Sequence, residues 1–135
     1  MRIALVQTAT GSDKMENFAH LAPLVRDAAK QGATLIVLPE ASSQAFEQGR
    51  LDTQAEELDG PFATGMRELA DELGVTIVAG MFRPADTVEH DGKTINRVHN
   101  TALITGGGVH TGYDKIHTYD AFNYRESDTV RPASE

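Results

Sequence analysis

Apolar positions follow two different spacings along this chain, and the spacings divide it into elements. Unbroken apolar runs stand at Ile3-Ala4-Leu5-Val6 and at Leu35-Ile36-Val37-Leu38, and a longer one from Val75 to Phe82 is interrupted only by Thr76 and Gly80. Runs of this length, bounded by glycine or proline, predict strands buried on both faces. Between the runs the period changes. Met15, Phe18, Leu21, Ala22, Val25, Ala28 and Ala29 recur at intervals of three and four, as do Phe62, Met66, Leu69, Ala70 and Leu73. Each set makes one apolar stripe on a helix. Asp13 and Glu16 have capping-box spacing at the start of the first helix, which ends at Gly32. The second has Pro61 in its first turn and Gly74 at its end. Strands over 3–9, 34–39 and 75–82, separated by two helices, predict two parallel βαβ steps with the first strands interior to the sheet.

Beyond Phe82 the pattern reverses direction. Residues 83–97 are polar, and Asp91-Gly92 between Val88-Glu89-His90 and Lys93-Thr94-Ile95 is a two-residue hairpin signal. Strands over 98–105 and 109–115, joined by Gly106-Gly107-Gly108, then make the sheet antiparallel. Residues 41–60 and 117–135 have no sustained period and read as loops, the first with room for a helical turn. A loop that long at the mouth of a strand is more often functional than idle. The fold class is α/β, with one mixed sheet and two helices on one of its faces, because right-handed crossovers wound in one direction stay on one side. The opposite apolar face then requires cover from a continuation of the chain or from a partner. Left bare, it should make the chain dimeric, aggregated or molten.

Composition narrows the functions. The 135 residues suffice for one domain, and 12 basic against 20 acidic residues give a net charge of -8. That charge repels phosphate backbones and anionic lipid, so no nucleic acid and no membrane are expected as partners. No run approaches a membrane span or a signal-peptide core, and a cytoplasmic location is the expectation. There is no cysteine, which excludes disulfides, thiolate zinc sites and a cysteine nucleophile within these residues.

Candidate chemistry gathers at strand ends. Pro39 cannot continue a ladder and biases Leu38 toward extended geometry, so the strand should stop there and present Glu40 at its carboxyl end. Open α/β sheets build their sites at such ends. A carboxylate there suits general acid or base work, the alternatives being a helix cap or a surface ion pair. Lys115 closes the last strand in the same way. It is either an oxyanion-stabilising cation or a solvated lysine. Glu126 lies in Phe122-Asn123-Tyr124-Arg125-Glu126-Ser127-Asp128, a polar stretch with aromatics interleaved. Gly106 to Gly108 with Gly112 is no dinucleotide loop, because Thr111 stands where glycine is needed and a strand follows rather than a helix. His110, Asp114 and His117 do not converge on a metal, since 110 and 117 have opposite strand parity. Asn100-Thr101-Ala102 is no glycosylation acceptor, and Asn100 is expected to order the backbone near the site.

In this order and at these strand ends, Arg2-Ile3-Ala4-Leu5-Val6-Gln7, Leu38-Pro39-Glu40, Asn100-Thr101, Gly112-Tyr113-Asp114-Lys115-Ile116-His117 and Arg125-Glu126-Ser127-Asp128 resemble the nitrilase superfamily of carbon–nitrogen hydrolases. The resemblance covers the whole chain. It implies an α-β-β-α sandwich of which residues 1–135 form the first half, a partial domain truncated before the family's cysteine. It further implies hydrolysis of a small amide or nitrile through a cysteinyl acyl-enzyme, with no cofactor, in a homo-oligomer. Glu40 takes the general-base role, Lys115 the oxyanion role and Glu126 the support of the lysine. The family's cysteine follows the lysine, and this sequence has none, so the chain alone is expected to be inactive. A small carboxylate-bearing amide is the expected substrate. The competing expectation is a non-catalytic interaction module that pairs with itself or with another chain.

Overall fold

A computed structural model describes residues 1–122 and 124–134. Its elements are β1 (Ile3–Leu5), α1 (Lys14–Lys30), β2 (Leu35–Val37), α2 (Leu51–Gln54), α3 (Pro61–Leu73), β3 (Thr76–His90), β4 (Lys93–Gly106), β5 (Val109–Asp114), β6 (Asp120–Ala121) and β7 (Tyr124–Arg125), with a 3-10 turn over Glu126–Asp128. Strands β1 to β5 form one sheet in sequential order. The pairs β1–β2 and β2–β3 are parallel, whereas β3–β4 and β4–β5 are antiparallel. This is the expected mixed sheet, and α2 is the helical turn for which the 41–60 loop had room.

Each helix is fixed by local chemistry. The Asp13 carboxylate accepts from the backbone N–H of Met15 and of Glu16, at 2.9 Å each, and satisfies two donors of the first turn of α1. At α3 the cap comes from farther away: the Glu56 carboxylate accepts from the N–H of Phe62 and of Ala63 at 3.0 and 3.1 Å. Gly74 then ends α3 with φ of 66°, a left-handed conformation that glycine adopts without steric cost. Leu21 and Val25 of α1 and Phe62, Met66 and Leu69 of α3 bury against Ile36, Ile77, Ala79 and Leu103 of the sheet. Both long helices therefore cover one face.

The strand registers place Leu5, Val37, Val78, Ile104 and Thr111 in one row across all strands on the opposite face. Leu5 is 79% exposed, and Ile3 on the same side of β1 is 52% exposed. Val37, Val78 and Ile104 are half-buried. Only one end of this face has cover: Phe82 and Val98 pack with Ala41, with Leu51 of α2 and with Val130 in a second apolar cluster.

Four expectations need correction. Strand β1 is an edge strand rather than an interior one; an unbroken apolar run reports apolar faces and does not say whether both flanks have neighbours. The hairpin around Asp91-Gly92 is part of one long ladder, because residues 83–97 continue β3 and β4 with a register shift between Pro84 and Thr87. Met15 of the predicted stripe is 40% exposed, while polar Asn17 is buried. Its amide donates to the carbonyl oxygens of Gly11 and Ser43 and its side-chain oxygen accepts from Gly11 N–H. The segment read as a loop over 117–135 contains the small β6–β7 ladder and the 3-10 turn; its residues Asn123 and Glu135 lie outside the described residues. Among the described residues, no helix is long and apolar enough to cross a membrane.

Candidate active site

Parity decides which side chains can meet. Phe82, Asn100 and Lys115 follow Val78, Ile104 and Thr111 at even spacing, so they occupy the open face at the covered end. The N–H of Lys115 donates to the Asn100 carbonyl at 2.8 Å, which carries the β4–β5 register one residue beyond the strand. Glu40 arrives from the end of β2. After Leu38-Pro39 its backbone crosses directly over Gly80 of β3, where a Cβ would sit 2.8 Å from the Glu40 carbonyl carbon. The Gly80 N–H donates to the Pro39 carbonyl at 3.2 Å, and its carbonyl accepts from Ser43 N–H at 3.1 Å. Only glycine permits this approach. Proline thus ends the strand as the sequence predicts, and an unpredicted glycine on the next strand seats the turn.

The three predicted residues converge. Lys115 Nζ donates to Glu40 Oε1 at 3.0 Å and to Glu126 Oε1 at 2.9 Å. Asn100 Nδ2 donates to the same two carboxylates, to Glu40 Oε1 at 2.7 Å and Glu126 Oε2 at 3.0 Å. Asn100 was expected to order backbone; instead its side-chain amide bridges two acids, a role that an isolated Asn-Thr pair does not announce. Tyr119 N–H completes the shell of Glu126 at 2.8 Å.

The two glutamates differ in environment. Glu126 has 1% of its surface exposed. Burial pushes its carboxyl up, but the Tyr119 N–H, the Asn100 amide and the Lys115 ammonium outweigh it and hold the group below the usual glutamate range. The Glu40 side chain is 53% exposed and faces open space. Burial works against the charge of Lys115, yet the hydrogen bonds and charges of Glu126 and Glu40 hold the ammonium above the usual lysine range. One acid is locked, one is free to meet a ligand, and the cation between them stays charged.

Two cavities share Glu40 and Lys115. One, of about 300 Å³, opens on the bare sheet face against Val78, Ala102 and Tyr113. The other, of about 340 Å³, lies toward the loops and is walled by Phe46, Tyr119 and Tyr124, with Glu47 and Glu126. Sequence reading missed this second lining, because aromatic residues scattered through polar loops carry no period. His110 and Asp114 sit on the helix side. His110 bridges Thr105 Oγ1 at 2.8 Å and the Leu58 carbonyl at 2.6 Å, and Asp114 accepts from Arg83 at 2.6 Å and from Thr101 at 2.7 Å.

The model of the family described as carbon-nitrogen hydrolase matches residues 2–135. A hydrolase of Mycobacterium tuberculosis is 42% identical over all of this chain, which covers 46% of that protein. The omega-amidase of Danio rerio is 30% identical over 97% of the chain, which covers 47% of its length. Among solved structures, a hydrolase of the same superfamily from Xanthomonas campestris, with an arsenic adduct in its active site, superposes with a TM-score of 0.68 at 29% identity, over 87% of this chain and 41% of that one. The chain spans about half the length of the curated relatives it matches.

Proposed function

We propose that this chain, which belongs to the carbon–nitrogen hydrolase family, supplies the base and the cation of an amidase-type site that hydrolyses a small non-peptide amide. The observation that carries the reading is the asymmetric pair of carboxylates on Lys115, Glu126 buried and fully bonded, Glu40 half-exposed at a cavity. A structural ion pair needs no cavity, and a general base needs one free face. Glu40 is the general base, Lys115 the oxyanion donor and Glu126 the residue that fixes the lysine, with Asn100 holding both acids in register.

The nucleophile is a cysteine from outside these residues, which contain none. Glu40 takes the thiol proton as sulfur attacks the carbonyl carbon. The C=O pair moves onto oxygen, and Lys115 Nζ donates to the resulting oxyanion. Collapse breaks the C–N bond, the amine departs with the proton held by Glu40, and a thioester remains. Water then attacks with its proton passing to Glu40, the C–S bond breaks, and the acid leaves as the thiol is restored.

The test is to express the reading frame beyond residue 135 together with this chain and to assay simple aliphatic amides, glutaramate among them. Turnover is expected in the extended protein, with kcat lowered about 10³-fold or more by Glu40→Gln or Lys115→Ala. The 135-residue chain alone should show none. Turnover by that chain above the buffer rate, abolished by Glu40→Gln, would overturn the reading. The bare apolar face also favours a second function, a module that pairs through that face. An extended protein without turnover, beside a stable dimer of the isolated chain, would decide for it.

A further inference from the structure

The loop-side cavity has a chemical character of its own. Glu40, Glu47 and Glu126 line it against a single cation, Lys115. Lys115 is engaged by Glu40 and Glu126, so Glu47 is the surplus charge. Among the described residues Glu47 has no ion-pair partner. A carboxylate-bearing substrate would find here only Lys115, already engaged by Glu40 and Glu126. Its negative end would face Glu47.

Three aromatic residues complete the wall. Tyr119 and Tyr124 have ring centroids 6.2 Å apart at an interplanar angle of 40°, a splayed pair with an open corner. Phe46 is braced from behind by an edge contact with Phe82 at 5.4 Å. Aromatic faces beside an unpaired carboxylate attract an organic cation through the ring quadrupole and through charge. The field agrees: burial, followed by Glu126 and Glu47, pushes the Tyr124 phenol up.

We propose that this cavity selects amides carrying an ammonium group at the end remote from the reacting carbonyl, with Glu47 as the specificity-determining residue and Phe46, Tyr119 and Tyr124 as the walls that receive the cation. The inference rests on the amidase reading for the position of the carbonyl, beside Lys115. It replaces the expectation of a carboxylate-bearing amide.

The experiment titrates the 135-residue chain with four ligands of matched length, 4-aminobutanamide, pentanamide, glutaramate and butylammonium, and follows saturation-transfer NMR, which tolerates self-association. 4-Aminobutanamide is expected to bind about tenfold more tightly than pentanamide, with glutaramate weakest. Glu47→Gln and, separately, Tyr124→Leu should each narrow the ratio of 4-aminobutanamide to pentanamide. Equal affinity for the three amides, or binding of none of them by the folded chain, overturns the cation site; equal affinity leaves the amidase reading standing. Butylammonium binding as tightly as 4-aminobutanamide supports the cation site and counts against a site built for the amide group.

Discussion

The two faces of the five-stranded sheet carry nearly the same residues and meet different fates. On one side Ile36, Ile77 and Leu103 are wholly buried beneath α1 and α3. On the other, Leu5, Val37, Val78 and Ile104 form a row of the same chemistry without a helix above it. Strand composition thus specifies two covers, while the two long helices provide one. The uncovered expanse ends where the loops after β2 and around Val130 close over Phe82 and Val98. At that boundary stand Glu40, Asn100, Lys115 and Glu126. The candidate site lies at the seam between covered and bare sheet, which is why one of its cavities opens onto the apolar face.

The comparison can be broken most directly at leucine. Leu103→Ala should cost about 3 kcal/mol, from lost burial and a residual cavity, whereas Leu5→Ala should stay within about 0.5 kcal/mol. Denaturant melts below the concentration at which the chain associates check this, and equal losses would show that the bare face is covered within the monomer.

The carboxylates offer the same contrast in polar form. Glu126→Ala should cost about 2 kcal/mol, because buried donors on Asn100 and Tyr119 lose their acceptor, and Glu40→Gln clearly less. The pH dependence follows in sign. Glu126 lies below its ordinary 4.5 in the folded chain. Its contribution is therefore complete above that value and is lost as pH falls through the folded pKa. Acid unfolding followed by circular dichroism should flatten below 4.5 in Glu126→Gln. A wild-type slope retained by the variant would assign the acid sensitivity elsewhere.

A smaller loss, about 1 kcal/mol, is expected for Glu56→Ala, which removes the cap of α3 from the covered face. The smallest change in stability, with the clearest change in assembly, is expected from Ile104→Lys. A charge at the centre of the bare row should shift the sedimenting species toward monomer with little effect on the melt. A wild-type chain that sediments as a compact monomer without binding apolar dye would remove the need for a second cover.

Much of this was legible because the signals were local. Pro39 ends a strand wherever it falls, so Glu40 could be placed; Lys115 followed from its place at the end of the strand after the Gly106-Gly107-Gly108 turn. Signals that depend on a distant partner were not legible. Gly80 reads as a flaw in a strand until Glu40 is seen crossing it. Ser42, Ser43 and Gln44 read as a polar loop, yet all are buried, with Ser42 Oγ donating to the Pro39 carbonyl at 2.5 Å and Gln44 Nε2 to the Gln48 carbonyl at 3.0 Å. Helix caps show the same divide. Asp13 acts two and three residues ahead and is visible, whereas Glu56 acts across a turn and is not.

The β3–β4 hairpin sets an order of assembly in time. Its turn is local, with φ of 50° at Asp91 and 73° at Gly92, and β5 follows by another short turn, so this meander closes at little entropic cost. Asn100 and Lys115 are set by that early event. Glu40 reaches them from 60 and 75 residues away along the chain, only after β2 has docked in parallel on β3. During synthesis the segments are made in the opposite order, β1 and β2 before the strand that must receive them. Until residues 76–78 emerge, β1 and β2 have only each other to pair with, and the second edge of β2 stays open. A chaperone that shields short apolar strands would act on this interval, and amide-exchange labelling of the refolding chain should find the hairpin protected before β2.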